Sequence, residues 1–292
     1  MARVVGVHGI GQQLLGERQL CAAWAPALVD GVTRAKGHLD TDDVDMAFYG
    51  DLFRPVGRAL AVGDPRYTAS DVEEGFEQEL LRAWWEEAAR TDSRIVGPDE
   101  RTLLRTPTAV QAGLRVLSRL PYFADVALRA MVFDLKQVRR YLTEPGLRER
   151  VWARIDAVIR EDTRVLVAHS LGSVAAYEAL WHRPEWPVTT LVTIGSPLAI
   201  PGLVFERLRP PPDVPDGTLP GTGRWPGNVR AWTNVSDQGD IVALVKDLRP
   251  RFGDRVQCHV VHNGSHAHDA KPYLSSEEVG RAVSSGLGGT GD

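Results

Sequence analysis

Residues 165–173 read Val-Leu-Val-Ala-His-Ser-Leu-Gly-Ser. Four apolar residues suit a buried strand, and Ser170 then follows with small residues, Ala168 and Gly172, two positions before and after it. Val174 to Leu180 continues with helical composition. This is the pattern of a nucleophile elbow, G-x-S-x-G with alanine in the first small position and His169 and Leu171 between. Such a strand-to-helix turn is strained, and larger side chains at 168 and 172 would collide with neighbouring backbone. It would hold the Ser170 hydroxyl clear of a sheet, beside a helix N-terminus that favours developing negative charge. An ordinary strand–turn–helix with an exposed serine shares the outline; the strand before and the helix after favour the elbow.

A serine nucleophile needs a base, an acid to orient it, and donors for an oxyanion. Downstream, Trp-Thr-Asn-Val-Ser-Asp-Gln-Gly-Asp-Ile-Val at 232–242 offers two carboxylates expected in a loop, Asp237 and Asp240. Either could instead be a turn former or helix N-cap. His259, His262, His266 and His268 follow. His259 is expected within a strand and His262 at its end, whereas His266 and His268 fall in a loop before the last helix. Val-His-Gly-Ile-Gly at 7–11 follows an early strand and could bring backbone N–H groups, Ile10 foremost, close to a substrate, with His8, Gly9 and Gly11 shaping the loop. Gly9-Ile10-Gly11 also begins a dinucleotide fingerprint, but its third glycine would fall at Leu14, where close helix packing needs a small residue. His-x-His-Asp at 266–269 resembles part of a zinc signature, yet no second histidine follows Asp269, so no metal and no cofactor is expected.

Positioning these residues calls for alternating strands and helices. Strands are expected at Arg3–Val7, Val44–Tyr49, Val165–Ala168, Leu191–Ile194, Val229–Val235 and Val256–Val261. Helices are expected at Arg18–Val32, Glu73–Ala89, from Pro121, at Leu147–Ile159, Ile241–Leu248 and Glu277–Ser284. Residues 209–227 carry six prolines and four glycines and read as a long loop. The alternation predicts an α/β fold with a mainly parallel sheet and helices on both faces. Every chemically suggestive residue falls just after a strand, where ligands of such sheets bind.

Composition excludes several classes. The formal charge is −4 over 292 residues, so no global basic field draws nucleic acid or anionic membrane. Cys21 and Cys258 cannot form a disulfide framework and are expected as reduced thiols. No stretch of about 18 apolar residues suggests a membrane span, and no signal-peptide core opens the chain, so a cytoplasmic protein is expected. Nothing in the pattern specifies an oligomer.

Val-His-Gly-Ile-Gly at 7–11 and Ala-His-Ser-Leu-Gly at 168–172 resemble the oxyanion and nucleophile segments of bacterial lipases and esterases of the α/β-hydrolase superfamily. Asn234…Asp240-Ile-Val, His268…Tyr273-Leu274 and Thr193-Ile-Gly-Ser-Pro197 resemble other segments of that group. The resemblance covers about 1–53 and 151–285; it implies a helical cap inserted at 54–150, and 286–292 reads as a flexible tail. It favours Asp240 over Asp237 and His268 over His266, in the chain order Ser170…Asp240…His268. It implies ester cleavage of a small or lipid-like substrate through an acyl-enzyme, with Ile10 and Leu171 N–H groups as oxyanion donors and His8, Gly9, Gly11, His169 and Gly172 in support. An acyltransferase or thioesterase could use the same residues, and an interaction protein could keep the fold without the chemistry. Pro121 to Leu135 carries more apolar surface than one packed helix face needs. Part of it, including Met131 and Phe133, is therefore expected to line a pocket for a medium or long acyl chain.

Overall fold

The computed structural model describes residues 3–54, 67–98, 107–118, 128–214 and 221–288. Its central strands are mostly apolar, buried runs (Val-Val-Gly-Val at 4–7, Val-Leu-Val-Ala at 165–168, Leu-Val-Thr-Ile at 191–194), the composition of a sheet covered on both faces. The strands are β1 (Val4–Val7), β2 (Val44–Ala47), β3 (Val165–His169), β4 (Thr190–Ile194), β5 (Ala231–Asp237) and β6 (Val256–Val261). All pair in parallel, in the order β2-β1-β3-β4-β5-β6. Residues alternate between faces along each strand. Val4, Val165, Val167, Val192 and Ile194 face a cluster with α1 (Glu17–Arg34), α8 (Ala270–Leu274) and α9 (Glu277–Gly286). Val5, Val7, Leu166, Ala168 and Leu191 face the other cluster, which holds α6 (Leu171–His182).

Between β2 and β3 lie α2 (Phe76–Thr91), α3 (Pro107–Leu117), α4 (Leu128–Thr143) and α5 (Leu147–Asp156). Their apolar faces join the α6 cluster: Leu80, Trp84, Val110, Leu114, Leu135 and Val151 are all buried in it. A buried polar knot pins them there. Glu178 of α6 accepts from Arg148 Nη1 of α5 at 2.5 Å and from Tyr141 Oη of α4 at 2.6 Å. Trp152 Nε1 donates to the Tyr141 hydroxyl at 3.2 Å, and the Arg209 N–H adds a third bond to Glu178 at 3.0 Å.

Several expectations are corrected. No helix forms over Ile241–Leu248; that segment bends at Ile241–Val242 and continues without regular secondary structure until a four-residue helix, α7 (Arg249–Phe252). The Asp240 carboxylate takes the Val242 and Ala243 N–H groups, and the Lys246 carbonyl accepts from the Asn234 side chain, so side-chain bonds fasten both ends of this irregular segment. The fifth strand starts at Ala231 and runs to Asp237, which puts Asp237 at a strand end, not in a loop. The second strand stops at Ala47 and α5 at Asp156, while α9 runs on to Gly286. The helix expected from Pro121 is described from Leu128; residues 119–127 lie outside the described residues. Helix α3 was not anticipated. Cys21 and Cys258 are free thiols, and among the described residues no helix is long and apolar enough to cross a membrane.

The polar knot should be worth more than a surface ion pair, because Arg148 is 2% exposed and Glu178 is fully buried. Removing one partner of a buried pair leaves the other uncompensated. Arg148→Met should therefore lower unfolding free energy by about 3 kcal/mol in urea titrations. A change under about 0.5 kcal/mol, the size of a surface pair, would show that the knot does not hold these helices.

Candidate active site

Chain order and spatial order part company between β1 and β3: from β1 the chain crosses to β2 on one side and later returns to β3 on the other. Loops leaving two such strands diverge and open a crevice at their carboxyl ends. The loop His8–Gly11 follows β1 and Ser170 follows β3, so both lie at that crevice.

Ser170 has φ 52° and ψ −130°, a conformation rarely adopted by L-residues and one that costs on the order of 1–3 kcal/mol. Both flanks hold it. Its N–H donates to the Ile194 carbonyl at 3.0 Å, and its carbonyl accepts from Ser173 Oγ at 2.6 Å. A Cβ on Gly172 would lie 2.3 Å from the His8 carbonyl oxygen, so α6 can begin there only with glycine. Gly9 has the same role opposite: its Cβ would sit 2.7 Å from Ser170 Cβ.

The Ser170 hydroxyl lies 3.0 Å from His268 Nε2, and His268 Nδ1 lies 2.7 Å from Asp240 Oδ2. All three side chains are at most 2% exposed. Four donors surround the Asp240 carboxylate. Oδ2 accepts from His268 Nδ1 and, at 2.8 Å, from the Tyr273 hydroxyl; Oδ1 accepts from the Val242 and Ala243 N–H groups at 2.9 and 3.1 Å. Burial works against ionisation there, but the charge and bond of His268, the Lys246 charge and the Tyr273 hydroxyl outweigh it and hold the carboxyl at about 2. His268 Nδ1 therefore carries the proton and Nε2 faces the serine as an acceptor.

The remaining residues have separate tasks. Asp237 accepts from the Gly239 N–H at 2.6 Å and from the Asn263 N–H, tying the loop after β5 to the loop after β6; it does not meet the histidine. His266 is exposed and pairs with Asp269 at 2.7 Å. His169 Nε2 donates to the His268 carbonyl at 2.8 Å, and burial followed by the nearby His268 charge lowers its pKa to about 3, so it stays neutral. His8 Nδ1 donates to the Gly9 carbonyl at 2.7 Å, and its Nε2 accepts from the Tyr49 N–H at 3.1 Å. Burial lowers its pKa to about 4, consistent with that neutral tautomer. The Tyr49 hydroxyl donates to the His8 carbonyl, completing the brace under the loop. Gly11 has φ 78°, and its N–H meets Gln137 Oε1 of α4 at 3.4 Å. Ile10 is half-buried, and Leu171 opens α6, where an N–H has no carbonyl partner four residues back.

A cavity of about 100 Å³ opens on Ser170, lined by His8, Gly9, Ile10, His169 and His268 among others. A second, of about 150 Å³, lies at the Asp240 end of His268, between Gly239–Ile241, Gly264–Ala267 and the Thr91–Arg94 end of α2. Neither is lined by Met131 or Phe133. Both are buried in the core, and Phe133 stacks on Tyr67 at 5.9 Å. Among the described side chains of that run, Met131, Val132, Phe133 and Leu135 pack in the core cluster; the side chains of 121–130, on which the rest of the expected acyl pocket falls, lie outside the described residues. Among the described residues no group of three or more His, Cys, Asp or Glu side chains is arranged to hold a metal ion.

Three contributors were given no role by the sequence, although the resemblance marks the segments that hold Tyr273 and Gly195. Tyr273 bonds Asp240 and also accepts from the Asp237 N–H at 2.7 Å, yet a tyrosine in a short helix carries no local signal of this. Gly195, at φ 55°, leaves room for the acid–base pair: a Cβ there would lie 2.9 Å from Asp240 Oδ2 and 3.1 Å from His268 Nδ1. Lys246 donates to the Asp240 carbonyl.

Because the folded-state pKa of Asp240 is depressed, its contribution to stability is fully present above about pH 4 and is lost as pH falls through about 2. Asp240→Asn should flatten the fall of urea-unfolding free energy between about pH 4 and 2, removing about 2 kcal/mol of it. An unchanged acid slope in this variant would mean that the carboxylate is not so held.

Comparison with family models, curated proteins and solved structures finds no match to this chain.

Proposed function

We propose that the protein is a serine hydrolase of the α/β-hydrolase type that cleaves carboxylic esters through an acyl-enzyme on Ser170. The observation that carries this reading is a serine in a strained left-handed turn whose hydroxyl faces His268 Nε2 at 3.0 Å, with Asp240 behind the ring. A binding surface gains nothing from strain at one serine, whereas a nucleophile does, because the turn exposes Oγ to a substrate. The parallel sheet order, with the acid after β5 and the base after β6, fits the same superfamily.

In this mechanism His268 Nε2 accepts the Ser170 proton as Oγ attacks the ester carbonyl. The Leu171 and Ile10 N–H groups receive the oxyanion. His268 passes the proton to the departing alkoxide, leaving the acyl group on Ser170. Water then adds to the acyl carbon as His268 Nε2 takes its proton; collapse breaks the Ser170 Oγ–acyl bond, releases the acid, and His268 returns the proton to Oγ. Asp240 keeps Nδ1 protonated and stabilises the imidazolium without itself taking a proton. His169 and His8 stay neutral and act as braces. The reaction draws only on side chains, backbone and water, with a small or lipid-like ester as substrate.

A fluorophosphonate should label Ser170 stoichiometrically. Ser170→Ala should fold and lose p-nitrophenyl ester hydrolysis by on the order of 10⁴-fold or more. His268→Ala and Asp240→Asn should each reduce kcat far more than His266→Ala and Asp237→Asn. An adduct mapped to Ser173 or Ser196, or a His266→Ala variant as inactive as His268→Ala, would overturn the assignment.

A further inference from the structure

Lys246 lies between acids from two distant parts of the chain. Its side chain is 14% exposed; Nζ donates to the Asp240 carbonyl and lies 3.9 Å from Glu87 Oε1, near the end of α2. Glu87 is 6% exposed and is held by Arg90 through bonds of 2.8 and 2.6 Å. The Lys246 backbone is fixed as well, since its carbonyl accepts from Asn234 Nδ2 of β5 at 3.1 Å. An ammonium taken out of water is retained only where charge and hydrogen bonds replace its hydration. Here the Asp240 carbonyl and the nearby acids Asp240, Glu87 and Asp237 supply them. We infer that Lys246 is a positioning residue, clamping the Asp240 loop to α2 and setting the field in which the Asp240–His268 pair works.

The charged groups facing Lys246 are Asp240 and Asp237 from β5 and its loop, and Glu87 and Arg90 from α2. The His268 ring meets, among its described neighbours, the Asp240 carboxylate, the Ser170 hydroxyl and the neutral His169 ring, 4.7 Å away between centroids. A positive charge beside Asp240 favours its carboxylate and opposes a second positive charge on the His268 ring. Glu87 offsets part of that positive charge. Removing the Lys246 charge therefore makes the ring easier to protonate, and removing the Glu87 charge makes it harder. A lysine that only tethered the loop would lower stability without producing shifts of opposite sign.

The catalytic meaning of this link rests on the hydrolase reading; the charge link itself can be measured without turnover. In the full chain, the Cε1 proton signal of His268 is followed against pH by NMR in wild type, Lys246→Met, Lys246→Arg and Glu87→Gln. Fluorophosphonate labelling of Ser170 is recorded on the same samples. The midpoint should rise by about half a pH unit or more in Lys246→Met, fall in Glu87→Gln and stay near wild type in Lys246→Arg. The acidic limb of the labelling rate should move with it. If Lys246→Met does not fold, Glu87→Gln against wild type decides. Midpoints that stay in place in the folded variants overturn the inference. Midpoints that move while wild-type Ser170 resists labelling support the charge link and overturn the hydrolase reading instead.

Discussion

Ser170 sits at φ 52° because two elements leave it no alternative. Strand β3 delivers the chain between β1 and β4, and α6 must start at once to cover that face of the sheet. The turn between them has one residue in which to reverse direction. Gly172 lets α6 rest on the His8 carbonyl, and the Ile194 carbonyl holds the Ser170 N–H. The strain is thus imposed by packing on both sides, and its product is a hydroxyl standing free of the sheet at the point where the crevice opens.

Carboxylates do two different jobs around that hydroxyl. Asp237 and Asp240 are three residues apart, but one fastens backbone to backbone and the other meets a histidine. The division follows from where β5 ends. Asp237 still belongs to the strand and points its oxygens at the turn N–H groups beside it. Asp240 lies past that turn, where its own following N–H groups saturate Oδ1 and leave Oδ2 for His268 and Tyr273. With every lone-pair direction occupied, the carboxylate is both ionised and immobile, which is what orienting an imidazole requires.

The segment between β2 and β3 is not a loose attachment. Its helices share one apolar cluster with α6, and Arg148, Tyr141 and Glu178 lock three of the helices to each other. Two of its members also reach the site: Gln137 meets Gly11, and the end of α2 approaches Asp240 through Glu87 and Lys246. Rigid support of this kind favours a preformed constellation over one assembled by closure.

Local patterns in the chain were enough to read the strand–turn–helix at 165–173, the approximate positions of the strands and the loop after β1. Each depends on neighbours in sequence: apolar runs of strand length, small residues two either side of a serine, a glycine after a strand. His268 over His266 and Asp240 over Asp237 were legible only as preferences, because identical residue types a few positions apart differ in nothing but what the fold brings beside them. The apolar composition of 241–248 suggested a helix, whereas the segment is irregular, and only the tertiary structure supplied the Asn234 bond that ties Lys246 to β5. Met131 and Phe133 looked surplus to one helix face because the partner helices that bury them are remote in sequence. Tyr273 and Gly195 fall in segments that carried the family resemblance, but neither they nor Lys246 showed a role locally. Their work is done on an atom of Asp240 or His268 between 6 and 73 positions away, and such contacts exist only once the sheet has set the carboxyl ends of β4, β5 and β6 side by side.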